Sequence, residues 1–145
     1  MTNVELDTAA QALSNDPSGS TVARAILEQL PDALIYADRL GIIRVWSAGA
    51  ARVFGYTATE ALGQSLDIIV PERFRQAHWD GFHAALAAGA TKYSGKAMTT
   101  RAVNKDGEKV YVEMSFGIVR DQAGAVVGAV AVGRDCTDRR QGAAT

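Results

Sequence analysis

The chain has 145 residues, of which 48% are hydrophobic and 21% charged, so its length and composition fit one globular domain. Its 15 basic and 16 acidic residues give a net charge of −1 and no electrostatic reason to expect nucleic acid or an anionic membrane as a partner. The single cysteine, Cys136, excludes an internal disulfide and a cysteine metal cluster. We find no apolar run that would span a bilayer and no signal-peptide pattern, so we expect a cytoplasmic protein.

The N-terminal part of the chain contains two short stretches with apolar residues at helical spacing. We predict one helix over residues 4–13 and, after a Pro-, Gly- and Ser-rich linker at 14–20, a second helix capped by Thr21. The apolar side of the second helix consists of Val22, Ile26, Leu27 and Leu30. This side needs a partner, which is either the domain's own sheet or a second copy of the chain.

A β-hairpin and two short helices are predicted next. The apolar runs 33–37 and 42–46 are rich in Ile, Val, Tyr and Trp, and the polar turn at 38–41 separates them. Small residues then predict a helix over 48–54. The sequence Thr57–Glu60 is a capping box, which predicts the start of another short helix.

The longest predicted helix begins at Pro71 and ends at Gly89. Three strands follow, at residues 92–104, 109–120 and 125–135. Because residues 126–132 are almost wholly apolar, we expect the last strand to be central. The order of elements predicts an α+β fold, a five-stranded antiparallel sheet with helices on one face and an N-terminal helical cap. The predicted division is an N-terminal helix and linker over 1–20, the domain over 21–140 and a C-terminal tail over 141–145.

One face of the long helix carries a histidine among apolar residues. Phe74, His78, Phe82 and Ala85 recur at intervals of four, four and three residues, which aligns them along the helix. His78 is then either a core histidine that hydrogen-bonds a backbone group or an axial ligand to haem iron, because neutral imidazole is the usual proximal ligand. His83 lies nearer the polar side, and we expect it to face solvent.

The element order and four short motifs resemble the PAS family of sensory domains. The motifs are Val45–Tyr56, Glu60–Gly63, Asn104–Gly107 and Gly133–Arg140. The resemblance covers about residues 22–140 and implies a signal-sensing module. Ser47 is a departure, since the family usually has asparagine there, but serine can still cap the following helix.

Residues 71–78 resemble the helix of the rhizobial oxygen-sensing haem PAS domains, and His78 falls on the position of their iron-binding histidine. This resemblance implies haem b as the cofactor, with Phe82 beside it and Lys92 near a propionate. It also puts Met98 where those sensors have an arginine beside bound oxygen. Methionine cannot donate a hydrogen bond, but its thioether can ligate iron, so we expect His78 and Met98 to be the two metal ligands.

The same comparison puts Met114 and Phe116 at apolar positions on the side of the haem opposite His78. If Met98 does not ligate iron, a pocket of these three residues would favour carbon monoxide or nitric oxide over oxygen. The alternative is that all three side chains simply fill the core, a common role for methionine.

Two classes of function stay open at this point. One is a haem-bound sensor of a gas or redox state, and the other is a non-haem PAS module for dimerisation and signal relay, empty or holding another small ligand. A light-sensing (LOV) flavin or a coumarate chromophore is not expected, because each would need a cysteine in the pocket and Cys136 lies at the end of the last strand. We find no catalytic constellation and expect no enzymatic activity. The expected partners are a second copy of the chain and a downstream effector or kinase. We expect the last strand to transmit the conformational change to this effector near residues 135–138.

Overall fold

The computed structural model describes residues 17–92 and 95–138, and its helices and strands follow the predicted order. The helices are α1 (Pro17–Gln29), α2 (Ala48–Phe54), α3 (Ala58–Ala61) and α4 (Arg75–Ala88), with 3-10 turns at Leu66–Ile69 and Glu72–Phe74 before α4. The strands are β1 (Ala33–Asp38), β2 (Ile43–Trp46), β3 (Met98–Val103), β4 (Lys109–Arg120) and β5 (Val126–Asp135). Within the two described ranges, no helix is long and apolar enough to cross a membrane.

The five strands form one antiparallel sheet in the order β2-β1-β5-β4-β3. The apolar strand β5 is central, as its composition predicts, and it pairs with β1 on one side and β4 on the other. The edges are β2 and β3. The predicted α+β class and five-stranded antiparallel sheet are therefore confirmed.

Side chains alternate across the sheet, and one face carries the core. In β4, Val110, Val112 and Met114 are buried, whereas the intervening Tyr111 and Glu113 are only partly so. The same inward face of β1 and β5 bears small residues, namely Ala33, Ala37, Ala129, Ala131 and Gly133. The inner face is thus well filled near β2 and α2 but shallow at the centre of the sheet.

The buried side chain of Ser47 joins the start of α2 to β1. Its Oγ accepts hydrogen bonds from the backbone N–H groups of Leu34, at 2.8 Å, and Ala50, at 3.2 Å. The same hydroxyl donates to the carbonyl of Asp32 at 3.4 Å. Serine therefore caps the helix where the family usually has asparagine, as expected.

The long helix α4 is held near its two ends. The indole Nε1 of Trp79 donates to Oδ1 of Asp67 at 2.8 Å, and its ring packs so closely on Gly41 in the first hairpin that a Cβ would not fit there. At the other end, Nη2 of Arg120 donates to the carbonyl of Gly89 at 3.0 Å. These contacts fix the helix across the sheet at two points.

The first helix, α1, lies against α2 and leaves part of its apolar side exposed. Val22 and Ile26 are 51% and 57% exposed, whereas Leu27 and Leu30 are partly buried. Within the described residues, the predicted apolar side of α1 is therefore incompletely covered.

Three predicted boundaries are wrong. The helix α1 begins at Pro17, so residues 17–20 are helical and not part of a linker, since proline is well suited to a first helical turn. The strand β3 begins at Met98 and not at residue 92, because Gly95 adopts a left-handed φ of 73° that interrupts an extended chain. The long helix proper begins at Arg75, after a 3-10 turn. The predicted helix at 4–13 lies outside the described residues, and the domain boundaries stay a prediction.

We predict that Ser47→Ala lowers the free energy of unfolding by about 2–3 kcal/mol, because it removes a helix cap and leaves the Leu34 N–H without its partner. The matched control is Thr57→Ala, which removes the exposed cap of α3 and should cost about 1 kcal/mol or less. Urea denaturation of both variants measures the difference. Equal costs would show that the bond to β1 contributes nothing beyond the cap.

Candidate functional site

A cavity of about 520 Å³ lies between α4 and the inner face of the sheet. Its floor includes the alanines of β1, β3 and β5, namely Ala37, Ala102, Ala129 and Ala131, and its roof includes Phe74, Ala77, His78 and Phe82. This volume is typical of pockets that bury a small ligand or cofactor. The cavity exists because α4 is held near its ends above a part of the sheet where several inward side chains are alanines.

Three large apolar side chains at the cavity remain partly open to solvent. Phe74, Met98 and Phe116 are 38%, 36% and 37% exposed, although each lines the cavity. Exposed apolar groups of this size are unfavourable in water unless a partner covers them. They therefore indicate the side from which a ligand can enter.

His78 is the chemically most informative residue of the roof. Its Nδ1 is buried and has no hydrogen-bond partner, so this nitrogen does not make the backbone hydrogen bond expected of a structural core histidine. The ring stacks on Phe82, with centroids 6.1 Å apart, and contacts the edge of Trp79 at 4.8 Å. Burial lowers the pKa of His78 below its ordinary value of 6.5, and the charge of His83 adds to this effect, while Asp67 opposes it. The imidazole is therefore held neutral near pH 7, with a lone pair on one nitrogen.

The strands opposite α4 contribute two methionines to the same face of the sheet. Met98 in β3 pairs directly with Met114 in β4, so their side chains leave the sheet on the same face. Met114 is 5% exposed and lies in the floor, whereas Met98 lies at the opening. Either sulfur could serve as a soft metal ligand or as an apolar contact.

The structure brings five of the six predicted cofactor-binding residues to one cavity, namely His78, Phe82, Met98, Met114 and Phe116. Lys92 is not among the lining residues and lies exposed in the turn after α4. The reason is the late start of β3, which leaves Lys92 outside the strand that was expected to carry it to the cavity. His83 is exposed, as predicted, and stacks on Trp79.

Sequence reasoning missed Arg101, which lines the cavity and is the one charged residue among its described lining residues. Its backbone pairs with Tyr111 and so belongs to the outward-facing set of β3. Its guanidinium nevertheless lies 5.7 Å from the ring centroid of Phe74, and its Nε is buried without a hydrogen-bond partner. Strand alternation points Arg101 away from the core, so no periodicity in the sequence signals this position.

The donor set suits a cofactor better than a bare metal ion. In the described part of the chain, no three His, Cys, Asp or Glu side chains converge to form a metal site. A haem iron, by contrast, needs only one or two axial ligands from the protein. His78 in an apolar cavity meets that smaller requirement.

We predict that the lowered pKa of His78 makes the haem-free protein less stable in mild acid. The unfolded chain takes up a proton as the pH falls below 6.5, whereas folded His78 stays neutral, so stability is present above pH 6.5 and is lost as the pH falls towards the folded-state pKa. In His78→Gln, the free energy of unfolding should fall less between about pH 8 and about pH 5 than it does in the wild type. His83→Gln, on the exposed side of the same helix, should keep the wild-type slope. Urea unfolding across this range measures both, and an unchanged slope in His78→Gln would contradict the prediction.

Known proteins share both the sequence pattern and the architecture of this chain. A family model described as PAS fold matches residues 27–141. The sensor protein FixL of Bradyrhizobium diazoefficiens is 31% identical over 121 residues, which cover 83% of this chain and 24% of FixL. The chain thus spans about a quarter of the length of FixL.

Two solved structures show the same fold. The PAS domain of a protein from Colwellia psychrerythraea matches 83% of this chain and 98% of its own, with a TM-score of 0.69 and 21% identity. An RNA-binding Light-Oxygen-Voltage receptor matches 83% of this chain and 33% of its own, with a TM-score of 0.63 and 24% identity. Since the family model covers most of the chain and the sheet agrees with these structures, the chain belongs to the PAS family.

Proposed function

We propose that this PAS domain senses a diatomic gas or a redox change through haem b, bound in the central cavity with His78 as an axial ligand. The observation that carries the proposal is His78 itself, a neutral imidazole in an apolar cavity whose buried Nδ1 has no hydrogen-bond partner. Neutral imidazole is the form that ligates haem iron. The likeness to FixL, which is named a sensor protein, supports a sensory role.

The residues around His78 would hold the imidazole in one orientation. Phe82 stacks on the ring and limits its rotation, and the hydrogen bond between Trp79 and Asp67 limits rotation of the helix that carries it. Bound haem b would supply an iron centre whose ligands and oxidation state can change. The apolar roof and floor would exclude water from the two faces of the macrocycle.

The residues that β3 and β4 contribute to the cavity support a gas preference that differs from that of the oxygen sensors. Their arginine is replaced by Met98, whose thioether accepts but does not donate hydrogen bonds. We propose that the Met98 thioether would hold the iron of bound haem as its second protein ligand. If it does not ligate iron, the wall of Met98, Met114 and Phe116 favours carbon monoxide or nitric oxide over oxygen.

We propose that the response leaves the domain through β5. This strand supplies Ala129 and Ala131 to the cavity floor and ends at Asp135. Oδ1 of Asp135 accepts a hydrogen bond from the backbone N–H of Thr137 at 2.8 Å, where a helix begins. The proposed receiver is a kinase or another effector in the cytoplasm, and the domain itself has no catalytic role and no nucleic-acid or membrane partner.

A second candidate function is dimerisation and signal relay without haem. The exposure of Val22 and Ile26 on α1 supports it, because an apolar helix side is stabilised by burial against a partner. The outer face of the sheet adds half-buried apolar side chains, namely Leu34, Tyr36, Val130 and Val132. A homodimer is compatible with both candidates, but it would be the main role of the domain if the cavity holds no haem.

We predict that the purified protein, supplemented with haem, gives a Soret band and that His78→Ala abolishes tight binding. The expected loss of affinity exceeds about a hundredfold, since losing a residue that only hydrogen-bonds a metal ligand already costs about 10–100-fold. The matched control is His83→Ala, which alters the exposed histidine of the same helix and should bind haem like the wild type. Titration of each variant with haem, followed by absorbance, measures the affinities.

Two outcomes of this titration would contradict the haem proposal. A wild-type protein that stays colourless would leave the dimerisation module as the function, with sedimentation equilibrium as its test. Wild-type haem affinity in His78→Ala would show that another residue holds the iron.

We predict that Met98→Leu converts the ferrous haem spectrum from six-coordinate to five-coordinate, because leucine keeps the apolar volume but has no sulfur. Met114→Leu is the matched control and should keep the six-coordinate spectrum, since the predicted ligand is Met98. The opposite result would identify Met114 as the ligand. An unchanged spectrum in both variants would exclude a methionine ligand.

A further inference from the structure

We propose that Arg101 binds a carboxylate in the central cavity, so that the ligand of this domain is an acid with an otherwise apolar body. The inference rests on the proposed function in one respect, which is that the ligand occupies the same cavity. It does not require that the ligand be haem. If the ligand is haem, Arg101 would take the place near a propionate that the resemblance to the oxygen sensors implies for Lys92.

The charge of the cavity is the first argument. Apart from Arg101, the described lining residues are apolar or neutral, and none is Asp or Glu. None of the ion pairs in the described part of the chain involves Arg101. Because no Asp or Glu is among these lining residues, the guanidinium leaves a net positive charge at an apolar wall, and that charge favours an anionic group on the ligand.

The position of the side chain is the second argument. Because β3 is an edge strand, no neighbouring strand blocks an outward-set side chain from folding over the edge of the sheet. The guanidinium of Arg101 lies 5.7 Å from the centre of the Phe74 ring, which itself lines the cavity. A cation at this distance from an aromatic ring is attracted to it, and the contact keeps the side chain at the opening.

The hydrogen-bonding state of Arg101 is the third argument. Its Nε is buried and has no partner, which is costly for a charged donor. A carboxylate can accept hydrogen bonds from Nε and a terminal nitrogen together, in the paired geometry that guanidinium favours. Both a haem propionate and the head group of a free aliphatic acid supply this chemistry on an apolar body.

The first experiment uses decanoate and decanol, two probes that share an aliphatic chain but differ in the acid group. Isothermal titration should show that the wild type prefers decanoate and that Arg101→Gln weakens decanoate binding about ten- to a hundredfold, the effect of losing a charged hydrogen bond. Decanol affinity should not change. Arg101→Lys should retain part of the preference, because it keeps the charge but loses the planar fork.

Arg73→Gln is the matched control for this experiment. The guanidinium of Arg73 also lies over the Phe74 ring, at 4.7 Å, but Arg73 does not line the cavity. The control should bind decanoate like the wild type. A loss as large as that of Arg101→Gln would show that general positive charge at the ring, and not a specific site, attracts the acid.

The second experiment compares haem with haem dimethyl ester, in which both propionates are blocked. The wild type should bind haem more tightly than the ester, and Arg101→Gln should bind both alike.

The two experiments together separate the role of Arg101 from the haem proposal. If decanoate is preferred but no haem binds, the ligand is a free acid, and the haem proposal fails while the role of Arg101 stands. If haem binds through His78 but Arg101→Gln changes neither the preference for decanoate over decanol nor the preference for haem over its ester, the role of Arg101 is wrong while the haem proposal stands. A wild type that prefers neither acid over its neutral partner also overturns the inference.

Discussion

The cavity depends on the small side chains at the centre of the sheet. Ala37 pairs with Ala129, and Ala131 is the next inward residue of β5, so the three form a continuous shallow patch under α4. Leucine or isoleucine at these three positions would together take up much of the space above them. The helix cannot settle onto the alanines because Trp79 on Gly41, and Arg120 at Gly89, hold it near its ends.

This separation of helix and sheet determines the chemistry of His78. A histidine packed tightly against a sheet would normally find a backbone partner, because buried polar atoms are nearly always hydrogen-bonded. Here the nearest groups to the ring are aromatic, and the floor offers mainly methyl groups and thioethers. Burial thus keeps the imidazole neutral and leaves a ring nitrogen without a partner, so that a bound ligand could pair with it.

The sequence predicted the elements that regular periodicity controls and missed what depends on side-chain length and local backbone geometry. The four-residue spacing of Phe74, His78 and Phe82 was sufficient to put them on one face of α4, and alternation in β4 was sufficient to bury Met114. The same alternation puts Arg101 on the outer face of the sheet, away from the cavity. This was wrong for its guanidinium, because a long side chain on an edge strand can fold back over the edge of the sheet. An apolar run such as residues 126–132 also predicts a buried strand without revealing that its alanines leave space.

The arrangement of bonds around α4 indicates which element a ligand can move. The central strand β5 is hydrogen-bonded along both sides, so displacing it would break two ladders at once. The helix is attached to the rest of the fold near its ends and spans the cavity between them. A ligand held by His78 from the roof and by Arg101 from the edge of the sheet would therefore change the position of α4 relative to β3 at lower cost than it would distort the sheet. The central strand would then respond as a rigid unit, which suits an element that ends just before the helical residues 137–138.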